Sequence, residues 1–176
     1  MKNVTRLFDF PYFQLENYNL PDALVTKNGS DWIKTSTQEY INKANALSRA
    51  LLHLGVEKND KIAIISSNNR TEWHISDIGI LQTGAQNVPI YPTISSEDYE
   101  YILNHSEAKY CFVSDQEVYD KLKAVHANIP LLQDIYSFNE ISGCKKWSDL
   151  LESGADTSNQ NVVEERKNNV LPTDLA

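Results

Sequence analysis

Apolar positions change their spacing several times along the chain, and each change marks an element. Residues 1–21 are aromatic-rich and show no period. Ala23-Leu24-Val25-Thr26 and Asp31-Trp32-Ile33-Lys34-Thr35 then flank Asn28-Gly29, a pair that tolerates positive φ, so a β-hairpin is predicted. Ser36-Thr37-Gln38-Glu39 has the form of a capping box, in which a hydroxyl and a carboxylate satisfy free N–H groups at a helix start. Tyr40, Ala44, Leu47, Leu51 and Leu54 follow at helical spacing, and Gly55 stops the run.

Strands and helices alternate from there. Lys61 to Ser66 is a nearly continuous apolar run, the signature of a strand covered on both faces. Trp73 to Thr83 reads as a helix ended by Gly84, and Gln86 to Tyr91 as a strand that Pro89 confines to an edge or a strand end. Ser95-Ser96-Glu97-Asp98 opens a helix with Tyr99, Ile102 and Leu103 inward. Lys109 to Ser114, Gln116 to Ala127 and Asp134 to Phe138 read as strand, helix and strand, and Trp147 to Glu152 as a short helix. This order predicts an α/β fold: an open, mostly parallel sheet flanked by helices, with right-handed crossovers and an N-terminal β-hairpin.

Beyond Gly154 the pattern is lost. Ala155 to Asn169 is polar and rich in Asn and Glu, and Leu171 to Ala176 has the look of an approach to another element. The expected division is an α/β subdomain over residues 1–154 and a polar linker over residues 155–176, in a gene that continues past Ala176.

Composition narrows the function classes. A net charge of −8 with scattered cations argues against sequence-independent nucleic-acid binding, which needs clustered Lys and Arg. No apolar run approaches the roughly 18 residues of a membrane span, and residues 1–13 lack the apolar core of a signal peptide. Cys111 and Cys144 form no CxxC pair and no disulfide framework, so a reducing, cytoplasmic location is expected.

Chemistry is sparse. Gly79 and Gly84 have P-loop spacing, but Ala85-Gln86 follow where Lys and Ser/Thr are needed, and close packing plus a helix stop is the favoured reading. His53, His74, His105 and His126 are isolated, without a second ligand at i+3 or i+4. Cys111 reads as a small core hydrophobe, and there is no G-x-S-x-G elbow. Ligands favour the carboxyl ends of parallel strands, which singles out Ser66-Ser67-Asn68-Asn69-Arg70 and Tyr91-Pro92-Thr93-Ile94, although such residues also make ordinary caps and turns. A receiver-type signalling site would need an acidic pair after the first core strand; Ser66-Ser67 stand there, although Asp115 is present after the third.

Several segments together resemble the adenylate-forming, AMP-binding acyl-activating enzymes. Asp60 to Trp73 is similar to their first core strand and helix entry. Gly84-Ala85-Gln86-Asn87-Val88-Pro89-Ile90-Tyr91-Pro92-Thr93 resembles the next strand in the form of long-chain fatty acid–CoA ligases. Tyr101 to Lys109 and the strand after it also match, as does the helix with Thr37, Glu39 and Tyr40, and Leu171 to Ala176 resembles the lead into the family's phosphate loop. Thr71 departs from the family, where Pro is frequent.

The resemblance implies an N-terminal subdomain of a long-chain fatty acid–CoA ligase. In that family a fatty acid, ATP and Mg²⁺ give acyl-adenylate, and the thiol of CoA then displaces AMP. The family's phosphate loop, ribose-binding acid and C-terminal Lys match no position in residues 1–176, so no catalytic, cofactor-binding or metal-binding residue is assigned. The chain alone is expected to be inactive. Alternatives are another acyl- or aryl-activating ligase of the superfamily, or a non-catalytic interaction module with this fold. Oligomeric state stays open, a homodimer included.

Overall fold

The computed structural model describes residues 4–176. It has helix α1 (Asp9–Asn17), the hairpin β1 (Leu24–Asn28) and β2 (Asp31–Thr35), and helix α2 (Thr37–His53). The alternating part runs β3 (Lys61–Ile65), α3 (Thr71–Gln82), β4 (Gln86–Ile90), α4 (Ser96–Ser106), β5 (Ala108–Val113) and α5 (Gln116–Val125). It ends with β6 (Asp134–Ser137), the short β7 (Lys145–Lys146), α6 (Trp147–Ser153) and α7 (Gln160–Asn168).

The five strands of the main sheet lie in the order β4-β3-β5-β6-β7, and every neighbouring pair is parallel. The continuous apolar run of β3 has the predicted cause. Ile62 and Ile64 pack into the cluster of Leu47, Ile75 and Ile80 from α2 and α3. Ala63 and Ile65 face the opposite cluster of Tyr99, Leu103 and Leu122 from α4 and α5. Cys111 is fully buried in that second cluster, as a small core residue should be. Pro89 sits on β4, an outer strand of the sheet, where a missing N–H leaves no central ladder broken.

Both capping boxes form: Ser36 with Glu39 at α2, and Ser95 with Asp98 at α4. The hairpin forms too, but its turn lies one residue later than Asn28-Gly29. Asn28 pairs with Asp31, leaving Gly29-Ser30 as the loop, with Gly29 at φ +60°.

Two α-helices were not expected from the sequence. The N-terminal region read as irregular contains α1; residues 1–3 of it lie outside the described residues. Pro11 falls in the first turn, where its missing N–H is harmless, and the Tyr12 hydroxyl meets the side-chain oxygens of Asn45 and Gln82 at 2.9 and 2.6 Å. Residues 155–169, read as a linker or surface loop, contain α7. Val163 is fully buried, Arg166 pairs with Glu57 at 2.6 Å, and the Lys167 ammonium lies 3.9 Å from the centre of the Tyr12 ring. Tertiary contacts thus stabilise a helix whose own composition is polar.

Candidate functional site

The chain leaves β3 for β4 on one side and later reaches β5 on the other, so the strand order reverses between β3 and β5. Open parallel sheets place ligands at such a switch point, outside the carboxyl ends of the strands. Here the loops after β3, β5 and β6 converge.

Ser114 continues the ladder, donating its N–H to the Ile65 carbonyl at 3.0 Å. Its hydroxyl accepts the Ser67 N–H at 2.9 Å and donates to the Asp115 carboxylate at 2.6 Å. The Ser67 hydroxyl also donates to Asp115, at 2.7 Å. Asp115 is at the same time the N-cap of α5 and accepts the Val118 N–H at 3.1 Å. This gives the Asp after the third core strand a structural role: it caps a helix and closes a hydroxyl network.

Arg70 ties in the third loop. Its Nε and Nη2 donate to the two oxygens of Glu72 at 3.0 and 2.8 Å, a bidentate pair. Nη2 also reaches Asn139 at 3.1 Å, and the guanidinium lies 5.1 Å from the centre of the Phe138 ring. The Phe138 N–H in turn bonds the Val113 carbonyl at 2.9 Å.

Burial alone would raise the Asp115 pKa, but the Ser114 and Ser67 hydroxyls and the Val118 N–H outweigh it and hold the carboxyl below its ordinary value. Glu72 behaves alike: burial acts upward, and the Arg70 hydrogen bonds win. A depressed folded-state pKa contributes stability that is present above about pH 4, the unfolded value, and is lost as pH falls through the folded one. Asp115→Asn should therefore flatten the acid limb of the stability profile below about pH 4. It should also cost about 1 kcal/mol at neutral pH by weakening the charge-assisted hydrogen bonds from the Ser67 and Ser114 hydroxyls, both effects measured by urea unfolding across pH.

The second loop singled out from sequence stands apart from this network. The Pro92 carbonyl accepts the Tyr99 hydroxyl at 2.8 Å, and Tyr91 is 81% exposed. Gly79 is packed so closely that a Cβ would stand 2.9 Å from Leu47 Cδ2, and Gly84 stops α3 at φ +82°. Close packing and a helix stop account for their spacing. No group of three His, Cys, Asp or Glu among the described residues could hold a metal.

At the switch point the cation is committed to Glu72, and the Asp115 carboxylate is committed to two hydroxyls and a helix start. These residues do not fit a magnesium triphosphate, which needs uncommitted donors and cations around its phosphates. Sequence reasoning had placed Ser67 and Arg70 in one candidate loop but missed their joining to Ser114 and Asn139. Only the position of all three loops after parallel strands could have signalled it.

The AMP-binding enzyme family model matches residues 13–176. The chain belongs to the AMP-binding enzyme family. Among its relatives, the long-chain-fatty-acid–CoA ligase FadD15 of Mycobacterium bovis is 31% identical over 137 residues, 77% of this chain and 22% of that protein. The long-chain-fatty-acid–CoA ligase ACSBG2 of Xenopus laevis is 28% identical over 139 residues, 76% of this chain and 19% of that one. The chain thus spans about a fifth of the length of these AMP-binding relatives. The fold agrees with that of a solved anthranilate CoA ligase, AuaEII, in complex with anthranoyl-AMP. That likeness has a TM-score of 0.69 at 24% identity, over 83% of this chain and 27% of that chain. No helix among the described residues is long and apolar enough to cross a membrane.

Proposed function

We propose that this chain is the N-terminal part of a long-chain fatty acid–CoA ligase. Such an enzyme joins a fatty carboxylate to the α-phosphate of ATP with Mg²⁺, releasing pyrophosphate, and then passes the acyl group to the CoA thiol with release of AMP. The observation that carries the reading is the long-chain fatty acid–CoA ligase identity of relatives such as those of Mycobacterium and Xenopus, along most of this chain.

In this reading residues 1–176 contribute framework rather than chemistry. The Ser67–Ser114–Asp115 network and the Arg70 clamp fix the ends of three strands, so the sheet presents a rigid wall to the parts of the enzyme that handle phosphates. Reaction rates depend on groups held in place before the reaction, and a self-bonded wall suits that task. The proposed location is the cytoplasm, and the substrates are fatty acid, ATP and CoA.

The test is fatty-acid-dependent ATP–pyrophosphate exchange with the 176-residue chain, using palmitate as the probe. We expect no exchange above the protein-free control. Exchange that requires both palmitate and Mg²⁺ would overturn the framework assignment, because the chain would then hold its own adenylation centre.

A further inference from the structure

We propose that the cavity where α2 meets the α6–α7 turn is a binding site for a small ligand carrying a phosphate group. The cavity measures about 630 Å³ and is lined on its polar side by Asn42, Lys43, Asn45, Arg49, Thr157 and Gln160.

Arg49 is the reason to expect a ligand there. It is only 5% exposed, yet no carboxylate stands within ion-pair distance of it among the described residues. Its Nε donates to the Gly154 carbonyl at 2.7 Å, and Nη1 donates to the Gln160 side-chain oxygen. Nη2 has no hydrogen-bond acceptor among the described residues. A largely buried guanidinium held only by neutral acceptors has no counter-charge at contact distance to offset its desolvation, and an incoming anion would supply one. The cost is visible in its acidity: burial lowers the Arg49 pKa, and the charge of Asp156 raises it only in part.

The guanidinium is also fixed in place. Gly154 is buried against α2, so close that its carbonyl points onto Arg49, and Gln160 opens α7 on the other side. Arg49 therefore presents a preorganised donor, which lowers the ordering cost of binding. Lys43 lines the same cavity and forms no ion pair among the described residues. Two cations around one cavity suit a dianionic phosphate better than a monoanionic carboxylate, and the Asn, Gln and Thr side chains supply neutral donors.

Two carboxylates come near the cavity or its guanidinium. Glu152 lines the rim and is exposed. Asp156 is bonded by the Ser158 N–H and hydroxyl at 2.9 Å each, which occupies it and holds its pKa down. Neither neutralises Arg49 at contact distance. The cavity lies on α2, α6 and α7, away from the loops of the sheet switch point, so it is separate from the wall described above.

The experiment is an NMR titration of the ¹⁵N-labelled 176-residue chain with inorganic phosphate, with sodium acetate as a parallel arm at matched ionic strength. The expected result is saturable shifts at the Arg49 Nε–H and at the backbone amides of Thr157 and Gln160. Arg49→Gln should abolish saturation. Lys43→Gln, on the open side of the cavity, should leave the fold unchanged and weaken binding about fivefold, the loss of one partly screened charge. The proposal is overturned by shifts that rise linearly without saturating, or by equal affinity in the Lys43→Gln protein. Acetate binding as tightly as phosphate would overturn the phosphate assignment. None of these outcomes touches palmitate-dependent pyrophosphate exchange, so the two readings fail separately.

Discussion

Gly154→Ala should destabilise the protein by about 3 kcal/mol or more, the upper end of what overpacking costs. A Cβ at this position would lie 1.9 Å from the Ala46 carbonyl oxygen and 2.9 Å from the Ala50 nitrogen. Both are backbone atoms of α2, so no rotamer change relieves the clash, and either α6 moves off α2 or the helix distorts. Moving α6 also withdraws the Gly154 carbonyl from Arg49, which then loses one of its two acceptors. Chemical denaturation of wild type and variant measures the loss. A change below about 0.5 kcal/mol, the range of neutral surface substitutions, would show that the α2–α6 contact is looser than described.

Leu51→Ala should cost about 2–5 kcal/mol, as deletion of a fully buried leucine does when its surroundings relax only in part. Leu51 is 0% exposed and packs with Leu47, Val56 and Ile62 in the cluster between α2 and the sheet. Asn42 lies on the outer side of the same helix and is exposed, so Asn42→Ala should change stability by no more than about 0.5 kcal/mol. The pair reads the phase of α2 directly. Equal losses from the two substitutions would contradict it.

The parts of the fold that were legible from sequence are those where local signals agree with burial. Ser36 and Glu39 announce α2 because both halves of the capping box lie within four residues. The run Ile62 to Ile65 announces a strand covered on two faces because alternate residues enter different clusters. The helices α1 and α7 were not legible, for a common reason. Each is fixed by partners remote in sequence: Tyr12 by Gln82 across 70 residues, and Arg166 by Glu57 across 109. Neither carries the apolar stripe that would reveal it alone.

The candidate site divides in the same way. Ser66 to Arg70 could be placed after a parallel strand, and hence at a ligand-prone edge, from pattern alone. What the edge does with those residues depends on Ser114 and Asn139, which Arg70 meets across 44 and 69 residues. The commitment of Asp115 to Ser67 and Ser114 is likewise a fact of packing, not of spacing. The buried Arg49 gave no signal at all, since an Arg in mid-helix is ordinarily a solvated side chain until Gly154 and Gln160 close over it.

The most direct test of the central claim is acyl-CoA formation by the product of the whole reading frame that encodes this chain. Palmitate and anthranilate are supplied in parallel with ATP, Mg²⁺ and CoA, and thioester, AMP and pyrophosphate are all measured. A long-chain fatty acid–CoA ligase yields palmitoyl-CoA with one AMP and one pyrophosphate per thioester, and far less product from anthranilate. Thioester formed preferentially from anthranilate would place the protein with aryl-activating ligases instead, and ATP-dependent thioester from neither acid would contradict the ligase assignment.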